Sequence, residues 1–517
     1  MSQQINQTND ISSVPELSQP TIAYSTFQSI NTYSTLEEEV VSLREEKNME
    51  DKNNKNFEII VNTEDEDNKG PNKILGTTEA VAYNINQIIG SGIFLIPGNV
   101  WRLTKSPGIT VVFFIIGGFF SILGSVVYAK LSEMLPKGAG ELRYLDEAFQ
   151  KPRKIIALAF SHAIILPTWI VADAYVASQY VLYTIRGESG EYLDPTGYFS
   201  NDFLGLAARI NQIIAAFKIL ALSAIIIVGL IQLQNVNYKN HWANIFKNTI
   251  NDQRTPLEQV GSYGDAMLQV LFAYEDLTDE LIEPDIAKSS NIYSIFITIP
   301  LYILANVAYI TVVNPEDAVI KDEIIAINFG KALLGETGKK LISVFIAISS
   351  FGAVAAMIYS GSRIIAYAAR NGLITFPNSL KLSGFHQKLN TPINALVFQL
   401  VYCTILTTFF PTYWNIFLFM VTTSLYLTIL YHGISAISLM ILQKRFPTII
   451  SFSKAVMLSC SFLLLIILIA IVTFFPLPIS EDISLYYIPY VISWSAVLLG
   501  GLIPYLYGRF GNVKDDK

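Results

Sequence analysis

Cysteine is nearly absent from this chain. Its 517 residues hold two thiols, Cys403 and Cys460, both inside apolar runs. That excludes a disulfide-stapled fold and leaves no outside loop with a thiol to offer a disulfide-linked partner subunit. Histidine is as scarce: His162, His241, His386 and His432 stand apart, without metal-ligand spacing. No phosphate-binding P-loop, no nucleophile elbow and no basic patch for nucleic acid is present. Charge is thin, at 15% of residues against about 25% in a soluble domain. Enzymatic chemistry, a metal and a cofactor are therefore not expected.

What the chain does have is apolar length. Hydrophobic residues make up 52% of it, and runs of about 20, each enough to cross hydrocarbon, recur along it. Spans are expected near 77–103, 109–135, 155–183, 204–233, 264–283, 293–313, 341–369, 393–410, 414–442, 455–475 and 486–507. The predicted class is an all-α polytopic membrane protein with the lipid bilayer as its solvent. The formal charge of −7 belongs to one end: residues 1–73 hold fourteen acids and six bases, while the remainder is balanced to within one charge. That polar tail has few aromatics and reads as disordered. It has no apolar h-region, so no cleaved signal peptide is expected. The expected division is a cytoplasmic tail at 1–73, a transporter domain at 74–510 and a short C-terminus at 511–517.

Lys and Arg in short loops set orientation. The groups Lys137 to Lys154, Arg370 to Lys388 and Lys444 to Lys454, with Arg509 and Lys514, are expected inside, together with both chain termini. Between the first two of these loops the crossings must then be even in number, yet five runs lie there. Either one run does not cross or one span is missing. The stretch 184–203, with Gly187, Gly190, Pro195 and Gly197 among acids, does not supply it.

The most informative segment is Asn86-Gln87-Ile88-Ile89-Gly90-Ser91-Gly92-Ile93-Phe94. Glycine costs about 1 kcal/mol against alanine in a helix interior, so Gly90-Ser91-Gly92 weakens the first span midway. A broken helix survives in lipid only where its freed N–H and C=O groups line a cavity or find partners. Such a break points to a transporter binding site, its N–H groups suited to a carboxylate. Small residues that merely let two helices approach are the other reading; spacing alone leaves both open.

Several further motifs join this one: Ser106-Pro107-Gly108, Tyr128-Ala129 before Leu135-Pro136-Lys137, Gly140-Glu141, Phe217-Lys218-Ile219, Phe272-Ala273-Tyr274, and Ser360-Gly361-Ser362-Arg363 running to Arg370-Asn371-Gly372. In combination, over residues 74–508, the chain resembles the amino acid–polyamine–organocation superfamily. Within it the chain is similar to the L-type amino acid transporters and the fungal methionine permeases. The resemblance implies an inverted-repeat fold with discontinuous first and sixth helices. It implies a substrate carboxylate on the N–H groups of Gly90, Ser91 and Gly92, and an α-amino group near Ile88, Ile89, Phe272 and Ala273. Phe272 matches an aromatic gate, with Tyr274 beside it. Lys218 matches a lysine that takes the place of a sodium ion in sodium-independent members.

Two departures stand out. The family's fourth helix is missing between the third span and 204, in agreement with the crossing parity. After Tyr274 the acidic end arrives early. One alignment puts Glu275 and Asp276 into the unwound site. The other, favoured by the end pattern Thr278 to Pro284, deletes most of the half-helix. The expected function is secondary transport of neutral amino acids, methionine or other large apolar ones, by alternating access at the plasma membrane. Proton symport and exchange both stay open as coupling modes. The alternatives are a cationic amino acid or polyamine carrier, if Glu275 lines the site, a non-transporting nutrient sensor, or a truncated transporter product.

Overall fold

The structure, a computed structural model, describes residues 77–135, 140–151, 154–164, 207–235, 239–249, 252–274, 284–319, 324–375, 378–386, 391–409, 416–477 and 487–511, with Ile170, Val171, Ala174 and Ala177. The acidic tail, most of the stretch before 204 in which a fourth helix was expected to be missing, and Glu275 with Asp276 lie outside the described residues.

The chain is built of helices. They are α1 (Thr77–Ile88), α2 (Gly92–Thr104), α3 (Pro107–Met134), α4 (Glu141–Ala148), α5 (Ile155–Ile164), α6 (Ala207–Gln232), α7 (Lys239–Trp242), α8 (Pro256–Tyr274), α9 (Pro284–Val312), α10 (Pro315–Ala318), α11 (Ile325–Arg370), α12 (Ile393–Phe409), α13 (Ile416–Gln443), α14 (Phe452–Val472) and α15 (Ile488–Gly511). A 3-10 turn covers Ser379–Ser383. The one β-bridge among the described residues joins His386 and Thr391. By length and composition, eight helical spans among the described residues suit a membrane crossing, with α1 and α2 together forming the first. Each of the eleven expected spans carries a described helix.

Three features go beyond the expected spans. α8 starts at Pro256, eight residues before the expected 264. Thr255 and Glu258 form a capping box there: Glu258 Oε2 accepts from the Thr255 N–H at 2.7 Å and its hydroxyl at 2.9 Å. With proline at the first helical position, this start was readable in the sequence. α4 is a short helix with Glu141, Leu142, Tyr144 and Leu145 turned inward. α11 is two helical stretches joined by a kink at Gly335, whose φ of +60° is one an L side chain rarely adopts.

The outer faces are oily. Phe119 of α3, Leu220 and Ile231 of α6, Phe296 of α9, Leu464 of α14 and Leu498 of α15 are all exposed. Apolar bulk repeated outward on long helices is what hydrocarbon solvent demands and water penalises. Inside, α9 packs against α1, α3 and α6, while α8 packs against α2 and α3. The α6–α9 contact relies on Gly229: a Cβ there would stand 2.6 Å from the Ala308 Cα. In a helix alone, Gly→Ala is favourable by about 1 kcal/mol, whereas overpacking costs about 1–3 kcal/mol. Gly229→Ala is therefore expected to lower the thermal unfolding midpoint of the detergent-solubilised protein; a higher midpoint would show that the helices are not this close.

Candidate functional site

α1 stops at Ile88 and α2 starts at Gly92, so Ile89, Gly90 and Ser91 carry the chain between two half-helices. The Gly90 N–H donates to the Ile88 carbonyl at 2.9 Å, a turn too tight to continue α1. On the other side, Phe94 and Leu95 donate to the Ser91 carbonyl at 3.1 and 3.2 Å and open the new helix. Among the described residues, the Gly92 and Ile93 N–H groups have no backbone acceptor, and Ser91 provides no side-chain cap. The start of α2 thus presents main-chain donors at the positive end of a helix dipole, an arrangement that favours an anion.

The carbonyls of the break are held from three other helices. The Tyr302 hydroxyl of α9 donates to the Ile88 carbonyl at 2.9 Å. The Ser349 hydroxyl of α11 lies 3.0 Å from both the Ile89 and the Gly90 carbonyls. Lys218 of α6 donates to the Asn86 carbonyl at 2.6 Å, within the last turn of α1. Its ammonium therefore sits at the negative end of that half-helix, where a cation is stabilised. At 1% exposure Lys218 does not snorkel to water, so a solvated lysine is ruled out for this position. The Asn86 side chain adds a bond to the Gly352 carbonyl of α11 at 3.0 Å.

The second expected motif abuts the break. A Cβ on Gly92 would lie 3.0 Å from the Ala273 Cα and 3.5 Å from the Phe272 Cδ1. Ile88, Ile89, Gly90, Ser91, Gly92, Phe272, Ala273 and Tyr274 are all buried. The structure brings together every expected site residue that it describes; Glu275 lies outside. Tyr274 turns toward α3, its hydroxyl donating to the Phe114 carbonyl at 3.1 Å and its ring resting 5.0 Å from that of Tyr302.

The far end of α2 is strapped by the segment before α8. Arg254 donates to the Leu103 carbonyl at 2.5 Å, the Trp101 indole to the Thr249 hydroxyl at 3.0 Å, and the Thr249 N–H to the Lys105 carbonyl at 2.8 Å. Hydrogen bonds from Arg254 also hold the Asp252 carboxyl below the usual carboxylate range. Trp101, 1% exposed, is thereby a packing aromatic.

Set beside known proteins, residues 75–200 and 203–499 match the amino acid permease family. The chain belongs to that family. This amino acid permease is 29% identical over 406 residues to the human large neutral amino acids transporter small subunit 2, covering 73% of the chain and 71% of that relative. It is 29% identical over 399 residues to the mouse Asc-type amino acid transporter 1, covering 73% and 72%. Against the rat b(0,+)-type amino acid transporter 1 the identity is 29% over 354 residues, covering 63% and 68%. A transporter of amino acids, and not an enzyme, is what this membership makes it.

Sequence reasoning missed Tyr302 and Ser349 in the permease. Each is a buried hydroxyl inside an apolar run, and that was the available signal. It did not say which carbonyl either would meet.

Proposed function

We propose that this permease carries neutral amino acids, methionine and other large apolar ones foremost, across the plasma membrane by alternating access without sodium. The observation that carries the reading is the pair of opposed poles at the α1–α2 break. The Gly92 and Ile93 N–H groups, without a backbone acceptor among the described residues, suit a carboxylate. Carbonyl-rich main chain at Ile88 to Gly90, beside Phe272 and Ala273, suits an α-ammonium. Phe272 then covers an apolar side chain, and Lys218 holds the α1 terminus in place of a metal cation. Nothing on the described lining is a carboxylate that would select a cationic substrate. The names of the relatives, large neutral and Asc-type amino acid transporters, support the same substrate class.

Both termini lie on the cytoplasmic side in this reading. No disulfide-linked subunit is required, because Cys403 sits within α12 and Cys460 within α14. The test is uptake of radiolabelled leucine and methionine into proteoliposomes in sodium-free buffer, with lysine and putrescine as competitors. Saturable uptake that excess lysine leaves untouched is expected. Ligand-induced thermal stabilisation without any flux would replace the carrier by a sensor, and competition by lysine would replace the substrate class.

A further inference from the structure

Away from the break, a second polar cluster is buried where α3, α4 and α13 meet. Glu141 is 2% exposed, His432 and Tyr128 3%, and Ser435 is fully buried. All three neighbours converge on one carboxylate oxygen. The Tyr128 and Ser435 hydroxyls donate to Glu141 Oε1 at 2.6 Å each, and His432 Nδ1 lies 3.4 Å from it. The Tyr128 hydroxyl is also 2.6 Å from His432 Nδ1. A phenol has one proton to give. When Tyr128 donates to Glu141 it must accept from a protonated Nδ1; when it donates to Nδ1, its bond to an ionised Glu141 is lost.

The charge of the cluster turns on a single proton. With imidazole neutral and the carboxyl ionised the cluster carries −1; one added proton on the pair makes it neutral. An unneutralised charge in such surroundings is expensive, and His432 is the only basic side chain in ion-pair range of Glu141 among the described residues. Among the described residues, the titratable groups facing the cluster are Tyr144 from α4, Tyr431 from α13, within electrostatic reach of Glu141, and Tyr274 from α8, which shares a cavity with His432; α14 presents Phe462. A cavity of about 20 Å³, room for roughly one water, is lined by His432, Thr428, Ser121 and Tyr274. It therefore joins the cluster to the tyrosine that follows Phe272 and Ala273.

We propose that Glu141 and His432, bridged by Tyr128, are the proton-binding site that couples amino acid movement to a proton in this permease; the proposal rests on the transport reading above. The proton binds to the pair as an N–H or O–H bond while α3, α4 and α13 are closed on one another. It leaves to water when α13 shifts and the Tyr128–His432 contact opens. Nothing is oxidised or reduced, and no other group is transferred.

Proteoliposomes holding the whole chain separate the possibilities through two assays, leucine counterflow and leucine accumulation driven by an imposed pH gradient. The wild type is expected to accumulate leucine up to about tenfold per pH unit of gradient, one proton per amino acid. His432→Gln and Glu141→Gln are expected to keep counterflow and lose the gradient-driven accumulation. Tyr128→Phe keeps both titrating groups and the packing, and is expected to move the pH of half-maximal uptake. Variants that accumulate like the wild type, or an unmoved Tyr128→Phe profile, overturn the proposal and leave the cluster as a fixed brace for α4. A wild type with counterflow but no response to the gradient overturns it as well, while leaving the transport reading intact. A wild type without counterflow or uptake overturns the transport reading itself.

Discussion

Gly92→Val is expected to cut amino acid uptake severely in protein that still folds and inserts. Even one added carbon would press on the Ala273 Cα at 3.0 Å and the Ala273 Cβ at 3.4 Å. Backbone cannot swing aside as a flexible side chain does, and valine brings two further methyls. Overpacking of this kind costs about 1–3 kcal/mol, which corresponds to about a five- to 150-fold loss in an equilibrium. The cost falls where α2 and α8 meet, so the half-helix N-terminus is driven off the Phe272–Ala273 edge. Gly92→Ala, which adds one carbon and no further methyls, is expected to lose less. Initial rates of leucine uptake, normalised to the protein in the membrane, give the answer. Wild-type rates in the valine variant would mean that the break does not touch substrate.

Lys218→Met is expected to bring uptake down by at least about tenfold, since a hydrogen bond to a charged group contributes about 1.5–3 kcal/mol and every 1.4 kcal/mol is tenfold. Methionine matches the length and apolar stem of lysine but lacks its three donors. The Asn86 carbonyl loses its 2.6 Å partner, and the C-terminal pole of α1 loses its cation. Two effects oppose each other here, because removing a buried ammonium also removes its desolvation cost. Thermal stability is therefore expected to change little while transport collapses. Lys218→Arg is not expected to rescue, as a planar guanidinium does not fit a site closed to water on all sides. Full uptake in Lys218→Met would reduce this residue to a structural one.

The break was legible because it is written locally: two glycines around a serine inside an apolar run leave no good helix to form. Its second wall was legible only through the resemblance, since Phe272 and Ala273 look like ordinary apolar residues by themselves. The donors that close the carbonyl side were not legible. Tyr302 and Ser349 come from more than 200 residues away, and no local pattern records which main-chain atom a distant hydroxyl will meet. The Glu141–His432 cluster was hidden for the same reason. Glu141 stood out only as part of a motif, and His432 as an isolated histidine with no ligand spacing; a separation of 291 residues is crossed by the fold alone. α4 was missed because its eight residues are too few and too polar to resemble a span. The early start of α8 was overlooked although its capping box was in plain view.

Ser349 stands between two acceptors at equal range, yet a hydroxyl has only one hydrogen to give. Turning about its Cβ–Oγ bond hands that hydrogen from the Ile89 carbonyl to the Gly90 carbonyl. The linker can thus shift register by one residue as the two halves of the first span swing, with a donor always at hand and no helix to be re-formed. A threonine at this position, its rotor hindered by the extra methyl, would act as a stiffer hinge pin and slow the swing in both directions.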